Sequence, residues 1–240
     1  MQTFSIKYIF AADDGKTHEY ELNLDKETLL LQQNHQKPPP QWTKLPYEKC
    51  DGCPLREKDC SHCPVAVNLA NLVEEFKSES SVKEVEIRVV TSDREFVKKT
   101  AIQYGLFSIF GVIMATSGCP VMDFFRPMAR FHLPFATMEE TMVRSTAFYL
   151  LRQYFRKKNG NVPDFDLTTL DENYQNVARV NRGIINRIGH LISDGDADQN
   201  AIVILDSFAQ MLAIEIQSNL GSLEYLFREI QSPEFHPPTH

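Results

Sequence analysis

Long apolar runs are missing from this 240-residue sequence. The most apolar stretch, Leu106 to Ala115, is about half the length that a membrane span needs, and it reads as a buried helix. Residues 1–14 lack a charged start, a long apolar core and a small-residue cleavage site, so no export signal is visible. An excess of positive charge is missing as well. Lys and Arg number 25 against 32 Asp and Glu, a formal charge of −7, which argues against general nucleic-acid binding. The dense cationic run of Arg152, Arg156, Lys157 and Lys158 falls at a helix end, where cations offset the macrodipole. There is no P-loop, no dinucleotide-binding glycine pattern, no G-x-S-x-G, no H-E-x-x-H and no solenoid repeat. Cysteine is scarce and odd in number, five residues. Without an export signal this points to reduced thiols in a cytoplasm, with no membrane partner expected.

What is present is the composition of an ordinary globular protein, 42% apolar and 24% charged. Phe4, Ile6, Tyr8 and Phe10 alternate with small or polar residues. The turn cluster Asp13-Asp14-Gly15-Lys16 follows, and Tyr20, Leu22 and Leu24 alternate again, so the pattern predicts a hairpin over residues 3–24. Lys37-Pro38-Pro39-Pro40 reads as a stiff connector. After the cysteines, Val67, Ala70, Asn71, Val73 and Phe76 recur at helical spacing. Val85, Ile87 and Val89 alternate as a strand, with Phe96-Val97 returning as a second hairpin.

From Tyr104 onward the chain reads as helical. Thr137 and Glu140 form a capping box that opens a helix ending at Asn159-Gly160. Leu170, Tyr174, Val177, Ile184, Ile188 and Leu191 mark a second long helix. A third runs from Ile202 through Leu205, Leu212 and Ile216 to Phe227, with the turn around Asp194-Gly195-Asp196 between them. The expected fold is α+β: a small N-terminal antiparallel sheet with a cysteine-rich metal loop, packed on a C-terminal helical bundle. The expected parts are residues 1–45 (hairpin and proline connector), 46–100 (cysteine loop, helix, second hairpin), 101–231 (bundle) and 232–240 (tail).

Cys50, Cys53, Cys60 and Cys63 give C-x2-C-x6-C-x2-C. Two such hooks each present two thiolates from a tight turn, which is what a tetrahedral ion needs. Zinc is the default for such a site, and an iron–sulfur cluster is the alternative. A redox pair or inert thiols are the remaining readings. Three of the five cysteines precede proline: Cys53-Pro54, Cys63-Pro64 and Cys119-Pro120. Proline favours the first helical position, which would put each cysteine beside free amides and the positive end of the dipole. A rival site follows, in which Cys53, Cys63 and Cys119 converge with Cys50, Cys60 or a histidine as the remaining ligand. In SGCPVMDFFRPMARFHLPF, residues 117–135, polar groups are embedded among aromatics. One reading is a pocket where the Cys119 thiol and a His132 base cooperate, with Arg126 or Arg130 clamping an anion; the other is a structural network.

The strings CDGCPL (50–55), HCPVAVNLA (62–70), ATSGCP (115–120), PMARFHLPF (127–135) and YLLRQYF (149–155) make the chain resemble an uncharacterised bacterial protein family, a domain of unknown function. The resemblance implies a bacterial cytoplasmic setting and marks Cys53, Cys63, Cys119, Arg130 and His132 as motif positions. It implies no activity. The function expected from the residues is metal binding, zinc first, in an interaction or regulatory module with a protein partner or small ligand. The alternative is a thiol-dependent enzyme using Cys119, His132 and Arg130.

Overall fold

The computed structural model describes residues 2–32, 38–191 and 195–228. Lys37, Asp194 and the tail 232–240 lie outside the described residues. The two expected hairpins form and join into one antiparallel sheet. Strands β1 (Thr3–Ala12) and β2 (Thr17–Asp25) make the first, and β4 (Glu84–Val90) and β5 (Glu95–Ala101) the second. A short β3 (Leu31–Gln32) adds an edge, giving the order β3-β2-β1-β4-β5. Pairing of β1 with β4, Tyr8 opposite Val89 and Phe10 opposite Ile87, welds segments far apart in the chain.

The period-2 pattern puts Phe4, Ile6, Tyr8, Phe10, Leu22, Leu24, Val85, Ile87 and Val89 on one buried face. Helices α1 (Pro64–Phe76) and α2 (Ile102–Thr116) contribute to the same core. Phe76 closes it at one side, its ring 5.2 Å from that of Phe10. Helix α2 approaches the sheet so closely that Gly105 is required. A Cβ there would stand 2.5 Å from both the Ile87 and the Phe10 side chains.

The capping box at Thr137 and Glu140 is fully formed and opens α4 (Met138–Lys158), which ends at Asn159 ahead of a left-handed Gly160. Between α2 and α4 lies a short α3 (Arg126–Arg130). Helices α5 (Thr168–Gly189) and α6 (Ala197–Gln217) form a packed pair, with Tyr174, Val177, Ile184, Ile188, Leu212 and Ile216 buried and Leu205 half-buried. The third helix is shorter than the apolar spacing predicts. It stops at Gln217, because Asn219 and Leu220 adopt positive φ, and a 3-10 turn (Gly221–Phe227) follows, leaving Phe227 exposed. Helix α6 is also long and apolar enough to cross a membrane by length and composition alone, which the sequence reading did not pick out. In this fold it packs against α5 and α2.

The start of α6 is fastened to the loop after α1. The Asp196 carboxylate accepts from the Ser81 amide at 2.7 Å, and the Ala197 amide donates to the Glu79 carbonyl. Asp198, in the next turn, is fully buried and its carboxyl oxygens have no partner among the described residues. Burial pushes its pKa up to about 8, so it is protonated at neutral pH.

Two outcomes follow from this packing. A glycine-to-alanine change inside a helix ordinarily stabilises by about 1 kcal/mol. Gly105→Ala is expected to destabilise by about 1–3 kcal/mol, because Ile87 or Phe10 must move. Urea denaturation gives the sign. For Asp198, the folded carboxyl keeps its proton where the unfolded one has lost it. Stability is therefore expected to fall as pH rises from the ordinary carboxylate range to about 8 and then to level off. In Asp198→Asn that component should disappear, seen as a smaller stability difference between pH 5 and pH 8.

Candidate metal centre

The loop that carries the cysteines is pinned at its base. The Leu45 amide donates to the Ser61 carbonyl at 3.0 Å and the Cys63 amide to the Thr43 carbonyl at 2.8 Å, beside a bridge between Lys44 and His62. Within it, Cys50-Asp51-Gly52-Cys53 is a tight turn. The Cys53 amide donates to the Cys50 carbonyl at 3.1 Å, and Gly52 takes the left-handed conformation that the turn requires.

Of the three Cys-Pro pairs, only Cys63-Pro64 opens an α-helix: Cys63 is the N-cap of α1 and Pro64 its first residue. No capping hydrogen bond of ordinary geometry is made there, but the amides of Val65 and Ala66 oppose the effect of burial on the Cys63 thiol. Pro120 begins a turn instead, followed by a 3-10 segment (Asp123–Phe125) that leads into α3. The expectation of a helix opened by Pro120 is corrected, because the chain must bend between α2 and α3. The turn serves the same end, since the Val121 and Met122 amides face the Cys119 sulfur.

Cys50, Cys53, Cys63 and Cys119 lie within each other's electrostatic reach. Burial first, then Cys63, Cys53 and Cys119, push the Cys50 thiol up to about 12. Burial raises Cys119 to about 11, with Cys63 and Cys53 adding to it. Cys60 is absent from the principal charges acting on Cys50, Cys63 and Cys119, and its thiol points to the His62 carbonyl at 2.7 Å. Among the described residues, no three His, Cys, Asp or Glu side chains sit close enough together to hold one metal ion.

Helix α5 forms the floor. Cys50 lies against Gly183, where a Cβ would come within 2.6 Å of its sulfur, and the thiol faces the Val180 carbonyl at 3.9 Å. One turn on, Arg187 is 1% exposed. Its guanidinium donates to the carbonyls of Trp42 (2.7 Å), Lys44 (2.9 Å) and Leu45 (3.1 Å), and its positive charge acts on both Cys50 and Cys63. Arg187 makes no ion pair with a carboxylate among the described residues, and its Nε is buried without a partner. The sequence reading missed Arg187. Its signal was positional: Val180, Ile184, Arg187 and Ile188 share the apolar stripe of α5, where a charge is out of place.

The residues of the thiol-enzyme reading are dispersed. The His132 ring pairs with the Tyr8 hydroxyl, and burial together with the Arg144 charge pushes it down to about 3, so it is neutral. Arg130 stacks on the Phe4 ring, 4.2 Å from its centroid, and lies near Phe131. Arg126 pairs with Asp123 and donates to the Thr28 carbonyl at 2.6 Å. The Cys119 thiol is buried, with no histidine among the principal groups acting on it.

A family model described as a domain of unknown function, DUF6901, matches residues 6–228. The chain belongs to that family. No curated protein and no solved structure matches the chain. The family match runs from β1 through the turn after α6, so it takes in all five cysteines, Arg187 and both hairpins.

Arg187 is expected to be indispensable to the loop. Arg187→Met leaves the Trp42 and Leu45 carbonyls unpaired, while the Lys44 carbonyl keeps the Tyr47 amide, and should cost on the order of 3 kcal/mol. Chemical denaturation measures it, and a loss under about 1 kcal/mol would show that the loop is held by other contacts.

Proposed function

We propose that the protein holds a metal centre on Cys50, Cys53, Cys63 and Cys119, with Cys119 in the position that sequence spacing assigns to Cys60. The observation that carries this reading is the buried Arg187 charge, which acts on the cysteines and has no carboxylate at ion-pair distance among the described residues. An isolated buried cation is costly. Four metal-bound thiolates carry a net negative charge and supply the missing counter-ion. Metal binding also resolves the raised pKa values of Cys50 and Cys119, because a coordinating thiol is deprotonated outright.

Zinc would hold four sulfurs at about 2.3 Å, which draws them within about 4 Å of one another. The loop would have to tighten around it. A specific observation favours a second reading, an iron–sulfur cluster. The four thiols are neighbours without any three being grouped for one ion, and cluster ligands on separate irons stand farther apart. In either form the centre joins the cysteine loop, the start of α1 and the turn after α2 above α5. That suits a module whose folding depends on its metal.

Metal analysis and a visible spectrum of untagged, anaerobically purified protein test the reading. One equivalent of zinc without colour, or a brown chromophore with iron and sulfide, is the expected result. Cys119→Ser should lose the metal, while Cys60→Ser keeps it. Loss in Cys60→Ser with retention in Cys119→Ser would restore the four-cysteine loop. Metal-free protein from both zinc- and iron-supplemented growth would end the proposal.

A further inference from the structure

Beneath α2, between α3 and the α5–α6 pair, lies a cavity of about 140 Å³. Its wall is chiefly apolar, with Val112, Phe208 and Leu212 among the residues that line it. An apolar void of this size is comparable to one that takes up benzene. Three nitrogen-bearing side chains interrupt the wall: Arg144 from α4, Asn181 from α5 and the neutral His132.

Arg144 and Asn181 are the informative pair. The Arg144 Nη2 donates to the carbonyls of Met128 (3.1 Å) and Phe131 (2.7 Å), while its Nε and Nη1 make no hydrogen bond among the described residues. Arg144 makes no ion pair with a carboxylate among the described residues. The nearest acid acting on it, Glu140, is committed to the Thr137 amide at 2.8 Å. Burial accordingly lowers the Arg144 pKa. Asn181 is 1% exposed, and its Nδ2 has no partner. A buried amide nitrogen left without an acceptor costs on the order of 1–3 kcal/mol. Arg144 is felt by Tyr174, and Asn181 lies two turns further along α5, about 10 Å away at 1.5 Å per residue. The cavity therefore offers a cationic donor from α4 and an amide donor from α5 in a chiefly apolar wall.

We propose that this cavity is a binding site for a small aromatic carboxylic acid, its carboxylate on Arg144, its ring between α2 and α6, and a para acceptor such as a hydroxyl on Asn181. Two features set the ligand class. Both unspent groups are donors, which calls for acceptors on the ligand. The volume fits one aromatic ring. No cysteine lines the site, and it does not depend on the metal reading.

Isothermal calorimetry on the full-length protein with 4-hydroxybenzoate, benzoate, benzyl alcohol and toluene tests it. Saturable 1:1 binding is expected for both acids, with 4-hydroxybenzoate tightest and the neutral compounds at least tenfold weaker. Arg144→Met should weaken both acids tenfold or more and leave toluene unchanged. Asn181→Leu should remove the advantage of 4-hydroxybenzoate over benzoate. Should Arg144→Met fail to fold, Arg144→Lys keeps the charge and Asn181→Leu still reads the amide donor. Equal affinity for toluene and benzoate, an indifferent Asn181→Leu, or no saturable binding by any of the four compounds would overturn the proposal.

Discussion

A single guanidinium buried in the α5 stripe holds the cysteine region in place. By donating to the carbonyls of Trp42, Lys44 and Leu45, Arg187 turns three backbone acceptors of an irregular segment towards one helix. Without it the Trp42 and Leu45 carbonyls would be dehydrated without donors, whereas the Lys44 carbonyl also accepts from the Tyr47 amide. The same segment pairs with residues 61–63, so fixing it also fixes the approach to α1 and the position of Cys63. Cys50 is then pressed onto Gly183, one turn before Arg187. Charge, hydrogen bonding and close packing thus meet at one place on α5.

The sheet and the helical part are locked by equally specific contacts. Gly105 lets α2 lie against Phe10 and Ile87 without a side chain between them. At the other side, Asp196 and the Glu79 carbonyl tie the start of α6 to the loop between α1 and β4. The outer helix α4 is held by Tyr149 on Asp164 and by its capping box, and it leaves Leu150, Leu151, Tyr154 and Phe155 exposed. The packed centre of the molecule is thus the sheet with α1, α2, α5 and α6, around which both the thiols and the apolar cavity are built.

Much of this was legible in the sequence, for reasons that are local. Alternation in β1, β2 and β4 reports a pleated face against a core, and the Thr137–Glu140 pair reports reciprocal hydrogen bonds within four residues. The helical spacing of Leu170 to Ile188 likewise reports one buried stripe. The end of α6 was misjudged because apolar spacing continues past Gln217, while the chain turns at Asn219 and Leu220, where no glycine or proline announces it. Nor does the 3-10 turn after Cys119 have a signature that separates it from a helix start.

By itself, the sequence determined which residues are candidates for chemistry: the thiols, the prolines that follow three of them, and the polar residues embedded at 123–132. Only the tertiary structure decided which of them meet. It turns Cys60 to a backbone carbonyl and brings Cys119, from the turn after α2, into the electrostatic reach of Cys50, Cys53 and Cys63. It sets His132 on Tyr8 rather than on a thiol, and it makes Arg187 and Asn181 buried partners of a loop and a cavity. Spacing along the chain encodes turns and faces, which depend on neighbours a few residues away. Convergence across 50 to 140 residues depends on how those faces pack, and no local pattern records it.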